Sequence, residues 1–260
     1  MNFVLKQMQD GVAKPLRNRY ENLKKVNKEY LFAGINIAWE NGMNQIPRLD
    51  KLPTAAEPIQ SRGIQMQVWE SGAQLGYASL HWNGYNNSRL IREAILARIT
   101  PKQMFTTLMW EIISDYNILL SKTISDVGVP RTHIFTHQVA IPTVDKSKAS
   151  ALWPPVWVNV NDFSTPGFTM DNRGSAVFDI DTIKQQIKQV DKNQKYYAAV
   201  ETYLQHYHDE SSLTQNLKET FESGAIVKWL YGAYPVGGEF GLDVDPVNAT
   251  LAIKKWLLNK

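Results

Sequence analysis

Apolar residues recur at helical spacing through Phe105, Leu108, Met109, Ile112, Tyr116, Leu119, Leu120 and Ile124, and this is the clearest periodic stretch in the chain. Ahead of it stands Thr100-Pro101-Lys102-Gln103: a Thr cap, a Pro in the first turn and a Gln three residues after the cap. Gly128 and Pro130 end the helix. A second helix is expected at Asp179 to Val190, with Ile180, Ile183, Ile187 and Val190 on one face. A third should open at the capping box Ser212-Leu213-Thr214-Gln215, turn Leu213, Leu217 and Phe221 inward and stop at Gly224. Asp245-Pro246 caps a last helix running to Leu258. Between these lie short β-like runs: Ile134 to His137, a segment within Val156 to Val160, Tyr196 to Glu201, and Ala225 to Tyr231. Strands alternating with amphipathic helices predict βαβ units and a parallel sheet.

The first hundred residues are less regular. Residues 2 to 30 read as a polar, lysine-rich helix with a break around Lys14-Pro15, followed by a strand from Phe32 to Trp39. Residues 41 to 100 form a long excursion carrying Pro47, Pro53 and Pro58, with a short alternating run at Ile64, Met66 and Val68. Leu75 to Tyr85 has the Gly- and aromatic-rich composition of a binding loop, and a short helix is expected over Leu90 to Arg98. With no repeat, low-complexity tract or linker, the chain reads as one domain.

Composition narrows the chemistry. The 260 residues are 43% hydrophobic and 20% charged, which is ordinary for a globular chain. A net charge of +3, with its densest basic stretch at Arg17 to Lys28 interrupted by Glu21, argues against a nucleic-acid partner. The absence of cysteine removes disulfides and thiolate chemistry. No apolar run reaches the ~18 residues of a membrane span, so no membrane insertion is expected. The N-terminal residues lack the order of a signal peptide, and the compartment stays open. Serine-hydrolase, dinucleotide, P-loop and zincin motifs are missing, so no cofactor is expected. His206 and His208 read as a polar turn rather than a metal site, and Asn86 and Asn248 head glycosylation patterns that arise often by chance. Eight Trp and eleven Tyr favour a surface that stacks on sugar rings.

Two glutamates carry the candidate chemistry. Glu40 closes the run that begins at Phe32, and Glu201 closes Tyr196-Tyr197-Ala198-Ala199-Val200. A carboxylate is costly inside an apolar strand but at a strand's C-terminal tip it can face a pocket. Two such tips converging on one bond is the arrangement glycoside hydrolysis requires.

In this order of elements the chain resembles the C-terminal part of the clan-A retaining glycoside hydrolases. The resemblance implies an α/β fold: strands four to eight of a (β/α)8 TIM barrel, with strands one to three preceding Met1 in an N-terminally truncated chain. It places the acid/base, Glu40, on strand four and the nucleophile, Glu201, on strand seven. Trp229 and Tyr231 fall on strand eight, where that clan carries an aromatic platform, and His133 to His137 looks like strand five. The clan has Asn directly before the acid/base, whereas here Trp39 precedes Glu40 and Asn41 follows it. Trp39 is expected to raise the Glu40 pKa, while Tyr203, His137 and Tyr231 are expected to donate hydrogen bonds to Glu201. His81 and Trp82 should close over the sugar, and Asn159 and Glu239 complete the expected substrate-binding set. Trp153 and Trp157 read as packing. The implied partner is an oligosaccharide, polysaccharide or glycoside. The competing expectation is a carbohydrate-binding or scaffold protein that kept the barrel and lost its chemistry.

Overall fold

The computed structural model describes residues 2–37, 84, 87–139, 154–169, 180–203 and 210–231, with helical positions 251, 253–255 and 257–258. Every named strand pairing among them is parallel. Strand β1 (Ile35–Asn36) pairs with β2 (Ile134–Phe135). A four-stranded sheet follows in the order β3 (Gln138–Val139), β4 (Gly167–Thr169), β5 (Tyr197–Tyr203) and β6 (Ala225–Tyr231). The two small sheets meet at one bridge: Thr165 N donates to Ile134 O and Thr136 N donates to Thr165 O, so β2 and β3 continue one extended segment. Helices separate the strands. Helices α3 (Asn87–Leu96) and α4 (Pro101–Ser125) lie between β1 and β2. Helix α5 (Ile180–Val190) precedes β5, and α6 (Glu210–Glu222) connects β5 to β6. Parallel strands need such crossovers, and the class is α/β.

Local chemistry sets the element ends. The capping box forms as expected: Thr100 Oγ1 accepts from Gln103 N at 3.2 Å, and the Thr100 N–H donates to Gln103 Oε1 at 2.8 Å. Gly128 and Gly224 stop α4 and α6 with φ of 93° and 104°, where a Cβ would be strained. At the N-terminus, α1 (Asn2–Met8) passes through a π-turn at Gln9–Ala13 into α2 (Lys14–Lys25). Pro15 has no N–H to give the preceding turn, and the wider turn absorbs that loss without breaking the helix. The same extra residue keeps one face aligned: Met8, Ala13, Leu16, Tyr20 and Leu23 all join the cluster around Ile124 and Ile134, although Met8 and Ala13 are five apart.

Three further expectations are corrected. Val156–Asn159 is a 3₁₀ turn and not a strand. Its β-branched residues are buried, but the sheet position beside β5 belongs to β4, and the turn packs over the sheet instead. Helix α6 already includes Glu210, so Ser212 lies in its first turn and does not cap it. In α4 the buried stripe also differs: Phe105, Met109, Ile113, Asn117 and Ser121 point inward, while Tyr116 is exposed.

The sheet has two distinct faces. One is covered by helices: Ile183 and Ile187 of α5 pack with Val156, Phe168, Tyr197, Ala199 and Ala225. Burial there pushes the Tyr197 phenol up to about 12, against the opposing pull of its hydrogen bond with Ser223. Fully buried polar groups also tie this side together. Asn117 Nδ2 donates to Asn159 Oδ1 at 2.9 Å, and Asn159 Nδ2 donates to Gly167 O at 3.3 Å. The opposite face carries Phe135, Ala198 and Val200, packed with Ile226, Val227 and Trp229.

Arg131 clasps two segments beside β2. Its guanidinium donates to Ser164 O, Asn161 O and, at 3.1 Å, Asp191 Oδ2 just past α5. Burial raises the Asp191 pKa, but the Asn193 backbone N–H and the Arg131 guanidinium outweigh it and leave the carboxyl below its ordinary value. A lowered folded pKa means the contribution is complete above about pH 4 and fades as pH falls through the folded value. Asp191→Asn should therefore cost about 1 kcal/mol in urea unfolding near neutral pH and progressively less as pH falls through the lowered folded pKa. A cost that does not change with pH down to full protonation would show that the charge has no part in the clasp.

Candidate functional site

Strand β5 holds an acidic residue in its middle because it is irregular. Phe168 opposes Ala199 and Thr169 opposes Glu201, so one step on β4 matches two on β5. Strand β6 registers the same extra residue: Ala199 opposes Lys228 and Thr202 opposes Leu230, three steps against two. A bulge of this kind re-aims a side chain. By strict alternation Glu201 would share the face of Tyr197 and Ala199 and enter the apolar layer beneath α5. With the bulge it joins Val200 on the opposite face.

There it meets a polar row drawn from four strands. Thr169 Oγ1 donates to Glu201 Oε2 at 2.8 Å. His137 Nε2 lies 2.8 Å from Thr169 Oγ1 and 3.3 Å from the same Glu201 oxygen. Asn36 Nδ2, from β1, lies 3.2 Å from His137 Nδ1. His137 and Glu201 are each only 2% exposed, so these contacts form in a largely dehydrated site. Such hydrogen bonds are stronger than their counterparts in water, and a buried carboxylate needs them. The row lies at or near the C-terminal ends of its strands, on the face where side chains from successive parallel strands can converge.

The structure brings together two of the expected site residues, His137 and Glu201, and adds two that the sequence reading missed, Thr169 and Asn36. Thr169 was hidden because a three-residue strand preceded by Pro166 reads as a turn. Asn36 lay within the expected first strand with no acidic or aromatic signal beside it. Trp229 is on the same face as Glu201, half-buried, with its ring edge-on to Phe135 at 5.8 Å between centroids. Asn159 lies elsewhere, fully buried beside α4 on the helix-covered side, with its amide bonded to Asn117 and Gly167. The backbones of Tyr203 and Tyr231 pair across β5 and β6. Trp39, Glu40, Asn41, His81, Trp82 and Glu239 lie outside the described residues, as do His206 and His208. Among the described residues no three His, Asp or Glu side chains gather as a metal site, and no helix is long and apolar enough to cross a membrane.

No protein-family model matches the chain, and no curated protein matches it.

Proposed function

We propose that this chain is a retaining glycoside hydrolase built on strands four to eight of a (β/α)8 barrel, with Glu201 as nucleophile and Glu40 as acid/base. The observation that carries the reading is the buried Glu201 carboxylate, held by Thr169 and His137 on a parallel sheet near the strands' C-terminal ends. Strand order supports it. The extended segments at residues 35–37, 134–139, 165–169, 197–203 and 225–231 neighbour one another in chain order. If the first is strand four, Glu201 falls on strand seven. Replacing the expected strand at 156–160 by β4 leaves that count unchanged.

The division of labour follows from the contacts. A nucleophilic carboxylate must stay ionised, and donors aimed at it favour the charged form. Thr169 donates to Oε2 and His137 Nε2 lies 3.3 Å from it, and the carboxylate so oriented attacks the anomeric carbon as Glu40 protonates the departing oxygen. Water then displaces the glycosyl ester, with Glu40 acting as base. Phe135 and Trp229 add an apolar wall beside this chemistry.

Trapping the ester tests the assignment. Aryl 2-deoxy-2-fluoro glycosides of several sugars should add one glycosyl mass per chain, and peptide mapping should place it on Glu201. A label on another carboxylate would overturn the assignment. Sugar binding without any label would favour the binding protein.

A further inference from the structure

Glu201, Thr169, His137 and Asn36 stand in line, and the capacity of each group fixes the direction of the line. An ionised carboxylate only accepts, so the single Thr169 hydroxyl proton points to Glu201 Oε2. Thr169 Oγ1 must then accept from its other neighbour, which puts the proton of His137 on Nε2. His137 Nδ1 is left bare and accepts from Asn36 Nδ2. Glu201 ionised and His137 neutral satisfies each of these three contacts.

We propose that Asn36, His137 and Thr169 form a one-way donor chain that fixes the His137 tautomer and holds Glu201 ionised and oriented. They are positioning residues, and their role as catalytic supports rests on the proposed hydrolase reading. His137 is the titratable side chain that faces Glu201 among the described residues. Lys228 of β6 points the other way, to Asn216 and Thr220 of α6. Asn36 secures the far end of the chain. Without its amide, Nδ1 could take the proton and His137 could no longer donate to Thr169.

The test reads the chain apart from catalysis. In the protein labelled with ¹⁵N-histidine, His137 should show the Nε2–H tautomer at neutral pH, and Asn36→Leu should mix the two tautomers. Thr169→Val should raise the midpoint of the Glu201 ¹³Cδ titration by about one pH unit, since a hydrogen bond to a charged group is worth roughly a tenfold change in the equilibrium. Thr169→Ser should restore it. If the chain hydrolyses a glycoside, the acidic limb of kcat/KM should move with that midpoint. An Nδ1–H tautomer in the unmodified protein would overturn the proposal even if a variant failed to fold. So would an unmoved Glu201 midpoint in folded Thr169→Val. The expected shifts in a chain that hydrolyses no glycoside would uphold the donor chain and sink the hydrolase reading.

Discussion

Glu201→Gln is expected to cut turnover of an activated aryl glycoside by about four orders of magnitude or more, the scale seen when a nucleophile is removed. The amide is nearly isosteric with the carboxylate. Its oxygen can take the place of Oε2 and still accept from Thr169. It carries no charge to attack with, so the glycosyl ester cannot form. The substitution also removes a dehydrated charge, which makes the folded state no less stable. Melting should therefore stay within a few degrees of the unmodified chain, and sugar binding should survive. Turnover at the unmodified rate would end the assignment of Glu201, and a collapsed melting temperature would recast it as a structural anchor.

Gly167→Ala should be the most damaging small substitution for the fold. A Cβ at this position would overlap the carbonyl oxygen of Thr136 and lie 2.9 Å from Val200 Cγ1. The first obstacle is backbone on the neighbouring strand, so it cannot turn aside as a flexible side chain would. The sheet must open between β3 and β4, which also loosens the bond from Gly167 N to Thr136 Oγ1. We expect a loss of about 3 kcal/mol or more in urea unfolding. His137 and Thr169 flank this same junction, so the polar row should widen with it. A variant within about 0.5 kcal/mol of the unmodified protein would show that the close approach is not needed.

Elements with strong local signals were legible in the sequence. The Thr100 box, Ile180, Ile183 and Ile187 of the α5 stripe, and the β5 and β6 runs sit where residue pattern places them, because their chemistry is decided within a few residues, while Val190 at the end of that stripe is exposed. What local pattern could not supply was competition for sheet positions. Val156 to Val160 has better β-forming residues than Gly167 to Thr169, yet the shorter segment, with only glycine at its tightest contact, occupies the sheet. Asn117 and Ser121 were missed in α4 for a related reason: a buried polar residue is legible only through its partner, and Asn159 is forty-two positions away. The site was half legible. Glu201 and His137 announced themselves by chemistry and strand position, whereas Thr169 and Asn36 act through neighbours that only the folded sheet supplies.

The extra residue at Val200 has a genetic consequence. Substituting Val200 by another apolar residue changes the packing near Phe135 but leaves the reading phase of β5 intact. Losing one codon there would do something different in kind. The strand would regain strict alternation, and the acid, now one step after Ala199, would keep the face of the polar row while the side chain beside Phe135 was lost. The direction of the acid is therefore set by the number of residues before it and by the bulge together, which no inventory of the segment would reveal.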